Sequence, residues 1–338
     1  MQDKDLIIIN NEKISKEKNF FYCDNIDIKS IPESLKSNFN IKLIARSSDI
    51  KRDRKINIEK IEAAPNIFKF LSTIIRTFQN KDAIYLIISI TPYTFLSYLL
   101  LFLFKKKRFI YLRSSGHEEY KAILGFFGPL IYHLMFKIVT FKSNIIKCQD
   151  RLFAKKSYLV RPSEIDSEWL NNVNEPLLDK PRLLYVGRIK AEKGIFSLLK
   201  IFEKIQADIQ LSIAGKLENK KLNSTKLNYI GHCSVSSELI KIYDNHNIFV
   251  LPSFTEAHPK VIDESLARAR PVIIFEEIKH VAQDKQGIFI SKRNPESFLE
   301  TVNFIMKNYK NIQKKISKNK LPTKKDFISQ MSDILSSN

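Results

Sequence analysis

Between Ser253 and Phe275 the chain reads SFTEAHPKVIDESLARARPVIIF, with two carboxylates, Glu256 and Glu264, on either side of Pro259. A carboxylate before a helix can accept hydrogen bonds from ligand hydroxyls. Pro259 suits a helix start because it gives up no needed N–H. The first-turn amides of Lys260, Val261 and Ile262 then point back toward residues 256–258, where they and the helix dipole favour an anion or a sugar hydroxyl oxygen. Upstream, GRIKAEKG follows an apolar run. Gly187 permits a sharp turn there, and Arg188 and Lys193 flank a helix that opens near Gly194. A guanidinium and an ammonium beside a helix N-terminus suit a diphosphate. Together these groups fit a polyol-rich ligand, such as a sugar joined through phosphates to a ribose.

Competing readings stand beside this one. Lys260, Glu264 and Arg268 are spaced i, i+4, i+8 and fit a solvated ion-pair row worth a few tenths of a kcal/mol per pair. Glu256 also fits an exposed loop residue, and Arg188 and Lys193 fit ordinary surface charges.

The elements that must position these groups alternate. RLLYVG (182–187), IQLSIAG (209–215), NYIGH (228–232), NIFVLPS (247–253) and PVIIF (271–275) read as strands. Helical spacing appears at 194–205, at 236–247 behind a Ser cap, and at 294–309, where Asn294 and Pro295 form the start. This alternation predicts a parallel sheet with helices on both faces. The first half repeats it less cleanly, with strands DLIIIN, 82–89 and 108–114 and helices at 64–79, 92–105 and 121–138. The polar, proline-containing stretch around 160–180 reads as a linker. Two α/β domains with a cleft between them follow, and ligands in such sheets sit beyond the carboxyl ends of the strands.

The chain has 338 residues, 56 Lys and Arg against 36 Asp and Glu, and a net charge of +20. The excess is clustered in KRDRK (51–55), KKKR (105–108) and the acid-free tail 307–325. Such clusters suit an anionic partner: a phosphorylated substrate, the cytoplasmic leaflet or nucleic acid. No zinc-finger spacing, helix-turn-helix pattern or aromatic-interleaved basic motif supports specific nucleic-acid binding. Cys23, Cys148 and Cys233 are odd in number and far apart, which fits a reducing cytoplasm. The apolar stretches 91–104 and 122–139 read as core or interfacial helices rather than membrane spans, which need about 20 residues.

GRIKAEKG, IAG, YIGHCSVSSELIKIYDNHNIFVLPS and TEAHPKVIDESLARARPVI, in this order and spacing, resemble the C-terminal half of retaining glycosyltransferases of family 4. The resemblance runs from about 181 to 309. It implies a GT-B fold: two Rossmann-like α/β domains with parallel sheets facing an interdomain cleft. The implied parts are an acceptor-side domain 1–165, a linker 166–180, a nucleotide-sugar-binding domain 181–310, and a basic tail 311–338 packing back on the N-terminal domain. Glu256 and Glu264 match the family's E-x7-E motif, the first facing the donor sugar and the second holding ribose hydroxyls. Arg188 and Lys193 match the basic pair on the donor diphosphate, after Gly187. The backbone of Ala257, His258, Pro259, Lys260 and Val261 matches the cup around sugar and phosphates, and Gly231 lies near the nucleobase.

The resemblance departs from the family at Ala257 and His258, where Gly and Phe are common, and at Ala269, where Gly is usual. IINNEKISKEKNF replaces the usual Gly-Gly loop. In YLRSSGHEEYK, His117 stands for the histidine that many members carry near the reacting centre, with backbone contacts from Ser114, Ser115 and Gly116. His133 reads as a packed residue, and His232, His246 and His280 carry no pattern.

The implied function is retaining transfer of a sugar from a UDP- or GDP-sugar to a glycan or a polyprenyl-diphosphate-linked glycan, in cell-surface polysaccharide or lipopolysaccharide synthesis. The nucleotide-diphosphate sugar is a co-substrate, with no further cofactor. No DxD-like motif is placed for a metal, and the two basic residues serve the leaving diphosphate instead. The expected setting is cytoplasmic, peripheral on the anionic inner face of the membrane. Two alternatives are a non-catalytic GT-B binding or assembly protein and a GT-B sugar-nucleotide epimerase.

Overall fold

A computed structural model describes residues 4–153, 155–216, 227–233, 235–256 and 258–337. The chain divides into two compact units, Met1–Pro162 with Lys324–Asn338, and Ser163–Thr323.

The second unit is a six-stranded parallel sheet. Its strands, in chain order, are Arg182–Val186, Gln210–Ala214, Leu227–Gly231, Ile248–Leu251, Val272–Phe275 and Ile288–Ser291. Their spatial order is third, second, first, fourth, fifth, sixth, all parallel. The order reverses between the first and fourth strands, where Leu183 lies beside Ile248 and Leu184 beside Phe249. The strands there are short apolar runs because helices cover both faces. Tyr185, Phe249, Ile273 and Phe298 are wholly buried in this core. The helix Pro295–Lys307 starts as its sequence dictates, with Asn294 Oδ1 accepting from the Ser297 amide and Pro295 in the first turn. The helix Ser236–Asp244 differs from expectation: Val235 occupies its cap position and no side chain caps it.

The expected linker 166–180 belongs to this unit. Asp166 caps a short helix, Ser167–Leu170, whose Trp169 is buried in the core. The following carbonyls, which a free linker would give to water, are satisfied by side chains. Arg268 donates to the oxygens of Trp169, Asn171 and Asn172, Arg270 to Asn174, and Asn247 to Leu177 and Lys180.

The first unit repeats the same strand order with one more parallel strand. From Asp5–Glu17 outward run Asn40–Ser47 and Lys60–Ala64 on one side. On the other side run Ile84–Ile88, Arg108–Leu112, Asn144–Lys147 and Tyr158–Leu159. The segment standing for the Gly-Gly loop is no loop. The first strand shifts register between Ile9 and Lys13, continues to Glu17, and turns into an antiparallel pairing with Phe20–Cys23. The expected helix at 121–138 is two helices, Gly116–Leu124 and Gly128–Phe141. The tail divides: Tyr309–Ile316 packs in the second unit, while Phe327, Met331 and Leu335 of Lys324–Ser336 pack in the first unit's core with Ile28, Ile31 and Leu35. Among the described residues no helix is long and apolar enough to cross a membrane.

Candidate functional site

At a point where strand order reverses, the loops leaving two neighbouring strands diverge and leave a crevice for a ligand. In the second unit these are the loops after Val186 and Leu251, which carry Gly187, Arg188, Lys193 and Glu256. The Gly187 amide extends the ladder to the Ala214 carbonyl (2.9 Å), and the Tyr185 hydroxyl donates to the Arg188 carbonyl (2.7 Å). Arg188 is exposed. One 3-10 turn, Ala191–Lys193, precedes Gly194, whose φ of +67° is left-handed. A Cβ at Gly194 would also lie 1.8 Å from the Pro252 carbonyl oxygen, so only glycine lets this loop close on the next.

The two loops are then fastened by polar contacts. The Phe254 amide donates to the Glu192 carbonyl (3.1 Å). Lys193 Nζ lies 2.5 Å from Glu256 Oε1, and Ser253 Oγ donates to the same oxygen at 2.7 Å. His280 Nε2 donates to the Glu256 carbonyl (2.8 Å), fixing the backbone as well as the carboxylate. The Arg293 guanidinium stacks over Phe254 and Phe275, 4.2 and 4.3 Å from their centroids, and pairs with Glu277. Glu256 is therefore a clamped group rather than a free loop side chain.

The helix Lys260–Ala267 begins after Pro259, which sits at its cap position. Glu264 lies in its second turn, 7% exposed, with the Tyr243 hydroxyl donating to Oε2 at 3.1 Å. Burial pushes its carboxyl up to about 7. The surface ion-pair row is thereby corrected. Lys260 pairs instead with Glu164 (3.0 Å), and Arg268 is buried against Asp244, with Nε–Oδ1 2.9 Å and Nη2–Oδ2 2.7 Å. Asp263, on the buried side, lies between Lys285 (2.6 Å) and His258 (3.4 Å). The helix ends with Ala269 at φ +53°, the Ala269 amide on the Leu266 carbonyl and the Arg270 amide on that of Ser265. That is a Schellman ending with alanine where glycine is favoured.

Of the other expected residues, Gly231 closes its strand at φ +94° and accepts from the Gly215 amide (2.8 Å). Ala257 lies outside the described residues. His117 belongs to the first unit, at the start of Gly116–Leu124, 3.3 Å from Ser115 Oγ and 3.5 Å from His133 Nδ1. Burial and the neighbouring His133 hold its imidazole below the usual range. His133 is exposed rather than packed. Among the described residues no group of three or more His, Cys, Asp or Glu is placed to hold a metal.

Sequence reasoning missed Ser253, His280 and Tyr243. Ser253 had a usable signal, since it lies three residues before Glu256 at the same strand end. His280 and Tyr243 had none, because each reaches its glutamate from more than twenty residues away.

Residues 167–321 match the family described as glycosyl transferases group 1. Over 128 residues the chain is 29% identical to TuaC of Bacillus subtilis, provisionally named a teichuronic acid biosynthesis glycosyltransferase, covering 37% of this chain and 33% of that protein. Over 165 residues it is 24% identical to the N,N'-diacetylbacillosaminyl-diphospho-undecaprenol alpha-1,3-N-acetylgalactosaminyltransferase of Campylobacter jejuni, covering 45% and 43%. These matches thus span between a third and under half of the curated relatives' length. Among solved structures, the sucrose-phosphate synthase of Thermosynechococcus elongatus superposes with a TM-score of 0.70 at 14% identity, over 99% of this chain and 98% of that one. HepE of Anabaena, solved with UDP and glucose, gives 0.70 at 10% identity, over 98% and 99%. Residues 167–321 therefore carry a glycosyl transferases group 1 domain, on a chain with the GT-B fold of glycosyltransferases.

Proposed function

We propose that the protein is a retaining glycosyltransferase of family 4 that moves a sugar from a nucleotide-diphosphate donor, UDP- or GDP-linked, to a hydroxyl of a glycan or lipid-linked glycan. The observation that carries this reading is the Lys193–Glu256 clamp at the strand-order reversal, which sets a cation and a carboxylate side by side. Arg188 and Lys193 take the donor diphosphate, and the first-turn amides after Pro259 add partial positive charge. Lys193 and Ser253 both bond to Oε1 of Glu256, so Oε2 serves the donor sugar's hydroxyls. Glu264 accepts from the ribose hydroxyls, with Tyr243 orienting it. Gly187, Gly231 and the backbone from Ala257 to Val261 shape the donor's surroundings.

In the transfer, the acceptor oxygen bonds to the anomeric carbon as the bond from that carbon to the diphosphate oxygen breaks. The electron pair leaves with the diphosphate, whose growing charge Arg188 and Lys193 stabilise. The acceptor proton passes to the departing phosphate on the same face, which retains the anomeric configuration and needs no separate protein base or metal. His117, whose pKa burial and the neighbouring His133 lower, serves the acceptor side as a hydrogen-bonding group. A role in surface polysaccharide or lipopolysaccharide synthesis is supported by the names of the relatives above, one of which acts on an undecaprenol-linked sugar.

The test is incubation with UDP- and GDP-sugars and a set of polyprenyl-diphosphate glycans, reading nucleoside diphosphate release and the anomer formed. Transfer with retention, lowered about 10–100-fold in Glu256→Gln, is expected. Inversion, or binding of a donor with neither transfer nor hydrolysis, overturns the reading.

A further inference from the structure

The helices Gly116–Leu124 and Gly128–Phe141 form a tight hairpin in the first unit. A Cβ at Gly128 would lie 1.9 Å from the Tyr120 carbonyl oxygen, so glycine sets how close they come. Tyr132, Met135 and Val139 turn Gly128–Phe141 inward onto the core. A surface helix ordinarily turns polar residues the other way. Here Leu130, Leu134, Ile138 and Phe141, spaced four, four and three residues apart, point outward, with Ile131, His133 and Lys137 exposed beside them. Phe126 and Phe127 extend the stripe over the turn, Phe126 at 89% exposure and Phe141 at 77%. The neighbouring helix Pro92–Leu103 ends in Phe102, Leu103 and Phe104, all exposed. Scattered exposed apolar residues need no explanation, but a continuous face of aromatics and leucines marks an interaction surface.

The charges around that face are predominantly positive, with Lys106, Lys107, Arg108, Lys137 and Lys142 against Glu118 and Glu119 of Gly116–Leu124. No Asp or Glu occurs from residue 83 to 117 or from 120 to 149. Lys106, Lys107, Arg108 and Lys142 line an open pocket of about 390 Å³ with Phe141. Arg108 joins the two helix ends: Nη2 donates to the Lys142 carbonyl at 3.0 Å, and the guanidinium lies 4.9 Å from the Phe102 centroid. Burial and the nearby Lys4 lower the Lys107 pKa, so an anion placed there relieves the site.

We propose that this face seats the protein on an anionic phospholipid bilayer, with Phe126, Leu130, Leu134 and Phe141 entering the headgroup–acyl boundary and the Lys105–Arg108 and Lys142 cluster holding lipid phosphates. An apolar stripe bordered by cations, with no acidic residue in Pro92–Leu103, in the run 105–108 or in Gly128–Phe141, complements an anionic membrane surface. The helix of 14 residues covers about 21 Å, too little to span but enough to lie along the boundary. The inference stands apart from the proposed sugar transfer and is read without any sugar donor.

The test is sedimentation of the full chain with vesicles of pure phosphatidylcholine and vesicles containing phosphatidylglycerol, at low and high salt. Binding to the anionic vesicles that weakens with salt is expected. Phe126→Ser/Leu130→Ser/Leu134→Ser replaces exposed side chains only, so its melting should match wild type while its partitioning falls about 100-fold or more. Lys105→Ser/Lys107→Ser/Lys142→Ser should lose about fivefold per lysine. Absence of vesicle binding overturns the proposal, as does binding indifferent to lipid charge and to both triple variants. A wild type that instead self-associates in lipid-free buffer, with the apolar variant monomeric and neither sedimenting with vesicles, assigns the face to a second copy and also overturns it.

Discussion

Lys193 and Glu256 lie 63 positions apart and meet at 2.5 Å, joining the loops that leave the two strands between which the order of the second unit's sheet reverses. Ser253 donates to the same carboxylate oxygen, and His280 holds the Glu256 carbonyl. Lys193 and Glu256 thus act as one device. Lys193→Ala and Glu256→Gln should each lower donor turnover about 10–100-fold, as expected for loss of a charge-assisted hydrogen bond. The double variant should lose less than the product of the two. Steady-state kinetics on the four proteins checks this, and multiplicative losses would show that the two side chains work independently.

Glu264 makes stability and binding depend on pH. Burial raises its carboxyl from 4.5 to about 7. A folded-state value above the unfolded one means that the folded protein holds the proton more tightly. This contribution is complete below the unfolded value and is lost as pH rises through 7, amounting to at most about 3 kcal/mol. Glu264→Gln should flatten the stability profile between about pH 5 and 8. Denaturant melts across that range read it, and an unchanged slope would remove Glu264 as the cause.

The same group predicts the proton balance of donor binding. A ribose hydroxyl donates to a carboxylate, so binding draws Glu264 toward its ionised form. At pH near 6.5, nucleotide binding should release up to one proton, and Glu264→Gln should abolish the release. Calorimetry in buffers of different ionisation enthalpy measures it. Proton uptake in the wild type would contradict the assignment.

Arg268 is the anchor of the segment 166–180. It makes a two-pronged pair with Asp244 and holds the carbonyls of Trp169, Asn171 and Asn172. Arg268→Ala strips the buried Asp244 carboxylate of its two-pronged partner, leaving it Asn174 at 3.1 Å and Arg270 at 3.6 Å, and takes the donor from three carbonyls, at a cost of about 3–5 kcal/mol. Urea unfolding checks it, and a loss under 1 kcal/mol would mean that water replaces the guanidinium.

Much of this was readable from the sequence, and the failures have specific causes. The strands of the second unit and the helix start after Pro259 were visible because apolar runs end in glycine, proline and charge. The burial of Glu264 and Arg268 was not, since a spacing of four along a helix fits an exposed ion row equally well, and their partners Tyr243 and Asp244 lie on another helix. The stretch 160–180 looked like a linker because it is polar and rich in proline. Its carbonyls are paid for by side chains from residues 247, 268 and 270, far along the chain. The hairpin at residues 10–23 joins a polar, lysine-rich strand end to the run FFYC of only four residues, so its strand pairing appeared only in three dimensions.

Ala269 adopts a left-handed φ of +53°, which costs a residue with a Cβ about 1 kcal/mol. Ala269→Gly should therefore stabilise the protein by up to that amount despite glycine's freer unfolded chain. A melting temperature below that of wild type would show that the surrounding packing already absorbs the strain.

The central claim is a donor diphosphate site at Arg188 and Lys193. Calorimetric titration of the wild type and Arg188→Ala with UDP- and GDP-sugars tests it most directly. Arg188 is exposed, so its removal should leave folding intact. The account predicts that one nucleotide class binds and that Arg188→Ala weakens it about 10–100-fold, the loss of a charge-assisted contact. Binding unchanged by that substitution, or no binding of either class to the folded wild type, would contradict it.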